Sequence, residues 1–379
     1  MLPVRLGFLL FGAFWGAWAV AALDIQRFLG LSEAQLGLLV AATVFGTTAA
    51  NVLGGTLAER LGVQRATALA LAAWAPLVGA VAVAPGPIAW MAAFLAVVAA
   101  GGMFDVVLNI ASAGALADQP GRLLRVHASY NSGAVLGAAV TGGVLAAGWS
   151  WRIAWAGVAV GAAVLAVALA RRPGWMPAVT TGDHVTVRDA VAELRRSGLL
   201  PLAVVFTLGA MVEGGIGTFG VLYLRDRLEV AVLAGAGAYV VGQALATVTR
   251  AALGGSDERL GGARAARVGL ALAGGGLVLE AATELPLVAA LGLAVAAIGA
   301  ATYWPLLSAV ANRASDRPGL AVGGVSAAGY LGFLAGPPVV GVVADGFGLR
   351  AGVLVLALAG LVAASVSLRT IGVPASRPA

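Results

Sequence analysis

Long, almost uninterrupted apolar runs recur along this chain, separated by short charged breaks. Each is about 18 to 25 residues long, which as a helix spans the ~30 Å hydrocarbon core of a bilayer. Twelve such runs fall near 5–23, 33–56, 66–84, 88–116, 127–147, 152–170, 199–223, 230–252, 265–283, 285–311, 318–343 and 350–368. Most connections are too short for anything but antiparallel neighbours, so no soluble domain is expected. The longest polar stretch, about 171–198, divides the runs six and six. The pattern predicts an all-α membrane protein of twelve transmembrane helices, with one six-helix bundle over 1–171, a linker over 172–198 and a second bundle over 199–379. Within the linker, Thr186-Val187-Arg188-Asp189 reads as a capping box opening a short helix. Val187, Val191 and Leu194 share one face of it, so an amphipathic helix lying on the membrane surface is expected.

The two halves repeat one another. Glu59-Arg60-Leu61-Gly62-x-x-Arg65 returns 199 positions later as Glu258-Arg259-Leu260-Gly261-x-x-Arg264. Gly133, Gly137 and Gly142 map by the same offset onto Gly332, Gly336 and Gly341, and Gly148 with Arg152 maps by 198 onto Gly346 with Arg350. Membrane chains built from parallel repeats are typically secondary transporters whose halves rock about a site near the bilayer midplane.

Composition agrees with the pattern: 60% of residues are apolar and 11% charged, against roughly 45–50% and about 25% in soluble domains. The 55 glycines suit helices that approach closely where no hydrophobic force drives them together. The first run is followed by eleven more and reads as a membrane helix, not a cleaved signal peptide. Cysteine is absent, which excludes disulfides and thiol chemistry, and all 23 basic residues are Arg. They flank the spans instead of forming one basic face, which argues against nucleic acid. Assigned to alternate sides, eighteen arginines lie on one side and Arg27, Arg152, Arg225, Arg227 and Arg350 on the other. The positive-inside rule then puts both termini and the linker in the cytoplasm of a bacterial inner membrane.

An ionised side chain at mid-bilayer costs about 2.5–3.5 kcal/mol or more, so acids within spans are candidates for function. Asp105 lies mid-span in the fourth run with Asn109 and Ser112 on the same helical face. Glu213 lies in the seventh beside Gly214 and Gly215. Either could contact a solute, carry a proton, or simply satisfy another helix. The 199 offset carries Asp105 onto Trp304 and Asn109 onto Ser308, with Tyr303 beside them and Asn312 one turn beyond, so the tenth run offers an aromatic and polar wall. Asn131 in the fifth is a further polar candidate. Asp24 falls beyond the outer end of the first run, and Glu280 with Glu284 reads as a solvated helix end. His127 and His184 form no metal pair, and no nucleotide, zinc or hydrolase motif occurs, so neither metal nor cofactor is expected.

At these residues the chain resembles the major facilitator superfamily over nearly its whole length. That family's signature loop reads Gly-x-x-x-Asp-Arg-x-Gly, then basic residues; Gly55 to Arg65 matches it with Glu59 for Asp. The resemblance implies a cytoplasmic latch between the halves built from Gly55, Glu59, Arg60, Gly62 and Arg65, with Glu258, Arg259 and Arg264 as its second copy, shortened by one residue. The stretches around Asp105, Asn131 and Tyr330 are similar to a branch near the fucose permeases, whose span-four acid and span-five Asn fall on Asp105 and Asn131. Their span-one acid has no counterpart within the first run. The Arg in span four and Gly-Pro in span five usual in drug antiporters are missing. The implied function is non-enzymatic: a monomeric secondary transporter taking up a small polar, sugar-like solute with a proton. Export of a drug or metabolite by proton antiport stands as the alternative, and a non-transporting receptor as a third.

Overall fold

The computed structural model describes residues 1–116, 120–171, 174, 187–253 and 262–370. Among them every regular element is helical. The first half holds α1 (Leu2–Leu29), α2 (Glu33–Leu61), α3 (Val63–Val83), α4 (Pro87–Ala115), α5 (Pro120–Ala146) and α6 (Arg152–Ala170). After the short α7 (Val187–Arg196) come α8 (Leu200–Gly215), continued through a π-helical turn (Ile216–Gly220) into α9 (Val221–Asp226). The second half continues with α10 (Val232–Leu253), α11 (Gly262–Ala282), α12 (Pro286–Arg313), α13 (Pro318–Phe347) and α14 (Leu349–Thr370). Ten helices among the described residues are long and apolar enough to cross a membrane, and the described part of α2 adds a shorter apolar helix, Glu33–Thr47. Large apolar side chains such as Phe45, Val160 and Leu358 stand on the outer surface, where lipid would cover them.

Local chemistry sets the helix ends. Ser32 and Gln35 form a reciprocal capping box that starts α2. Gly62, at φ 78°, is the single residue between α2 and α3. A side chain there would be strained, which explains the glycine at the end of the signature loop. At the start of the last helix, the positive-φ glycine is Gly348, not the Gly346 that the 198 offset pairs with Gly148.

The end of the bundle at which α1 begins is called here the near end, and the opposite one the far end. The repeated glycines explain how the helices assemble. On the α1–α5 seam a Cβ on Gly133 would fall 1.9 Å from the Leu9 carbonyl oxygen, and one on Gly137 2.0 Å from that of Ala13. The counterparts do the same between α13 and α8: Gly332 against Thr207 O at 2.0 Å, and Gly336 against Met211 at 3.1 Å. The third pair acts differently. Gly142 meets Ala236 of α10, and Gly341 meets Glu33 of α2, so both lie where the first half touches the second. Small residues here permit backbone contact that apolar attraction in lipid could not enforce.

The halves are not filled alike. In the first, Trp74 is fully buried between α3 and α4, stacked on Phe104 at 5.4 Å and edge-on to Phe11 and Phe14. The column continues through Phe94, Trp90 and Trp155. The 199 offset puts Ala273 at the place of Trp74. There α11 and α12 close up, with Gly269, Gly276, Gly292 and Gly299 leaving no room for a Cβ. The first half has Ala70, Leu77, Ala93 and Ala100 at those positions.

α7 departs from expectation. One side of it packs on protein: Ala190 and Leu194 are buried, and both face Gly324 of α13, whereas Val191 of the expected apolar face is exposed. Thr186 of the expected capping box lies outside the described residues. Glu193, 3% exposed, fixes the dock. Its Oε1 accepts from Ser197 and Ser315, each at 2.6 Å, and its Oε2 accepts from Arg196 at 2.7 Å. The Ser197 hydroxyl foremost, then Ser315 and Arg196, hold the carboxyl down at about 2 against burial pushing it up. A depressed carboxylate stabilises the folded contact fully above its ordinary value of 4.5 and loses that contribution as pH falls through about 2. Docking of α7 should therefore be pH-independent near neutrality and fail only in strong acid. Glu193→Gln should release it at every pH, read as faster proteolysis of the linker.

Candidate functional site

Helical rise places the candidate residues at one depth. Asp105 lies ten residues from the near end of α4, Asn131 eleven from that of α5, Glu213 thirteen from that of α8, and Tyr303 ten from that of α12. At about 1.5 Å per residue, these are about 15–20 Å deep, the middle of a bilayer. Every arginine among the described residues instead lies near a helix end.

On α4, Leu108 packs at Gly7 of α1, and Gly101 faces Phe11 of α1 and Trp74. Asp105 is one turn from each on the same side, so it points inward toward α1, partly exposed. Its stripe is partly self-satisfied: Asn109 Nδ2 donates to the Asp105 carbonyl at 2.9 Å, and Ser112 Oγ to that of Asn109 at 3.1 Å. Asn131 is 2% exposed, eleven residues inside α5 and not at the helix end.

In the second half, Tyr303 Oη donates to Glu213 Oε2 at 3.0 Å, joining α12 to α8. Tyr239 of α10, hydrogen-bonded with Gln243, lies close enough to feel the charge of Glu213. The first-half equivalents of Glu213 and Tyr303 are Phe14 and Phe104, both packed on Trp74, so the repeat is apolar there where the second half is polar. Trp304 is half-buried among Phe206, Tyr303, Tyr330 and Phe333. The Ser308 hydroxyl is buried without a hydrogen-bond partner, and Asn312 is exposed near the end of α12. The structure thus joins Glu213 to Tyr303 and Trp304, while Asp105 and Asn109 lie on α4 of the other half.

Sequence reasoning passed over the far end. α1 runs to Leu29, so Asp24 lies inside it and not beyond it. It pairs with Arg225 of α9, which is 7% exposed and also donates to the Val20 carbonyl at 2.9 Å. Arg27 pairs with Asp226 at 2.8 Å. Asp345 of α13 accepts from Ser32 Oγ at 2.7 Å and the Ala34 N–H at 3.1 Å. Together with the Gly142 and Gly341 contacts, these bind the halves at the far end. Glu280 also departs from expectation: it is fully buried, and only Glu284 is solvated, paired with Arg227 and Arg350. The run 5–23 ended where charges began; pairing of Asp24 with Arg225 and of Arg27 with Asp226 lets the helix continue past that point, and that is why the pattern cut α1 short.

At the near end Glu59, Arg60 and Arg65 are exposed around Gly62, Gly55 is half-buried in α2, and Arg264 is exposed in α11. Glu258 and Arg259 lie outside the described residues.

An all-helical membrane protein with repeated halves, contacts between them at one end, and polar groups at mid-depth has the architecture of a solute carrier. The family model for the Major Facilitator Superfamily matches residues 6–323, and the chain belongs to that family. It is a multi-pass membrane transporter of a small molecule, not an enzyme. Over 374 residues it is 26% identical to membrane protein MosC of Rhizobium meliloti, covering 96% of this chain and 88% of that one. Its fold matches the nucleoside transporter NupG with a TM-score of 0.76 at 16% identity, over 98% of this chain and 99% of that one. A D-xylose–proton symporter gives 0.75 at 15%, over 98% and 97%.

Proposed function

We propose that the protein is a twelve-span secondary transporter that moves a small polar organic solute by alternating access, coupled to protons. The observation that carries this reading is the placement of two partly exposed acids, Asp105 and Glu213, at mid-depth in halves that are bound together at the far end. That arrangement suits a state open toward the near end. In the opposite state the latch of Gly55, Glu59, Arg60, Gly62 and Arg65, with Glu258, Arg259 and Arg264, would close the near end as the far-end pairs break. The units that rock are 1–171 and 199–379, with 172–198 as the linker. The arginine distribution supports a bacterial inner membrane with both termini cytoplasmic, and a monomer suffices because both halves lie in one chain.

Asp105, Asn109, Asn131, Glu213, Tyr303, Trp304 and Ser308 form the proposed path for solute and proton. Uptake of a sugar-like solute by symport is supported by the fucose-permease resemblance and by the D-xylose–proton symporter's likeness in fold. Export by proton antiport is the second reading, supported by mid-depth acids with no arginine among the described residues at that depth, which admits cationic solutes. Purified protein in proteoliposomes separates these: a pH jump should drive solute with the proton for symport and against it for antiport. Asp105→Asn and Glu213→Gln should each lower the driven flux at least tenfold and flatten its pH dependence. If both leave flux and pH profile unchanged, the site assignment is wrong.

A further inference from the structure

In the second half Trp304 of the proposed path stands with two rings that the transport reading does not use, Tyr330 and Phe333. The centroids of Trp304, Tyr330 and Phe333 stand 6.5, 6.4 and 6.4 Å apart, an almost equilateral triangle. The rings are inclined at 78° for Trp304 and Tyr330, 54° for Tyr330 and Phe333 and 31° for Trp304 and Phe333, so they do not form one stacking platform.

The backbone fixes these rings. A Cβ on Gly329 would fall 2.8 Å from the Trp304 ring, and one on Gly214 2.8 Å from that of Phe333. Helices α13 and α8 therefore give way beneath the rings, and neither indole nor phenyl can sink further. All three stay partly exposed, Tyr330 to 37%. Gly214 is the residue after Glu213, whose carboxylate is held by Tyr303, and Tyr303 in turn lies edge-on to Trp304 at 5.9 Å. A carboxylate thus sits beside the three-ring cluster at mid-depth.

We infer that Trp304, Tyr330 and Phe333, with Glu213 beside them, form a cage for the ammonium group of an organic cation. A cation seated about 3 Å above the plane of the three centroids lies about 5 Å from each, inside the ~6 Å range over which the ring quadrupole attracts it. The carboxylate supplies the counter-charge, and the arginines near the helix ends are too remote to repel the guest. An anionic solute would meet the negative ring faces and Glu213, with no arginine among the described residues at that depth to neutralise it. This deepens the transport reading and rests on it, since it names the charge of the solute's recognised group.

The test is binding to purified protein of choline, a quaternary ammonium, against 3,3-dimethylbutan-1-ol, its neutral isostere, followed by thermal shift and by competition. Choline should stabilise the protein and the alcohol should not. Tyr330→Leu should weaken choline about tenfold, the scale of one desolvated cation–π contact, whereas Tyr330→Phe keeps the ring and should retain binding. Glu213→Gln, which preserves an acceptor for Tyr303, should weaken it as well. Equal binding of the isostere, binding of neither, or indifference to Tyr330→Leu overturns the cage. A neutral solute driven by a pH gradient without any choline binding would overturn the cage and leave transport standing; absence of any driven flux would instead overturn transport.

Discussion

Asp24→Ala is expected to open the far end of the molecule. The substitution leaves Arg225, which is 7% exposed, with the Val20 carbonyl as its acceptor across the seam. Removing one partner of a buried ion pair costs about 3–5 kcal/mol. Asp24 is itself 25% exposed, so water compensates part of the loss, and about 2 kcal/mol is the appropriate scale. That shifts the balance between the two states roughly thirtyfold. The chain has no cysteine, so a single introduced thiol reports without background. Ala236→Cys, 3% exposed where α10 meets Gly142, should react with an impermeant maleimide at least tenfold faster when Asp24 is Ala. An unchanged rate would show that the pair does not hold this end shut.

The repeated glycines should divide into two classes under substitution by valine. Gly137→Val and Gly332→Val place carbon 2.0 Å from a carbonyl within a half, Ala13 O and Thr207 O respectively. Neither seam can open without separating helices of one bundle, so a loss of about 3 kcal/mol or more is expected, measured as thermal denaturation in detergent. Gly341→Val places carbon 2.3 Å from Glu33 O, and Gly142→Val clashes at Ala236, both between halves. Here the molecule has an escape, because the halves can part at the far end. These two should keep a melting temperature close to the parent's and increase maleimide labelling at a far-end thiol placed away from the substituted seam. Equal destabilisation by all four would refute the division.

The glycine offsets were legible in the sequence, and so was the helical architecture, because apolar runs of membrane length leave few alternatives. What those glycines do was not legible. Gly133 and Gly142 look alike in the chain, and only the partner, Leu9 or Ala236, separates a seam within a half from one between halves. Helix ends were misjudged where charges are paired: Asp24 resembled a loop residue because its counter-ion Arg225 is 201 positions away. Glu280 resembled a solvated end because nothing local signals burial. Asp105 and Glu213 stood out as isolated acids in apolar runs, but the contact between Glu213 and Tyr303 and the triangle made with Tyr330 and Phe333 are products of α8, α12 and α13 coming together. The motif Gly329-Tyr330-Leu331-Gly332-Phe333 carried the clue, with two rings three apart flanked by glycines.

Arg27 and Asp226 are 199 positions apart, so the two residues that pair at the far end are the two copies of one ancestral position. A residue that meets its own copy lies on the axis relating the halves. In a symmetric dimer of identical six-helix chains, the same side chain would have faced itself there, arginine against arginine or aspartate against aspartate, and repelled. The attraction now seen requires that the copies could mutate independently. By this account the Arg27–Asp226 pair is younger than the duplication, whereas Asp24 and Arg225, 201 positions apart, join two different ancestral positions that a symmetric dimer could already have paired.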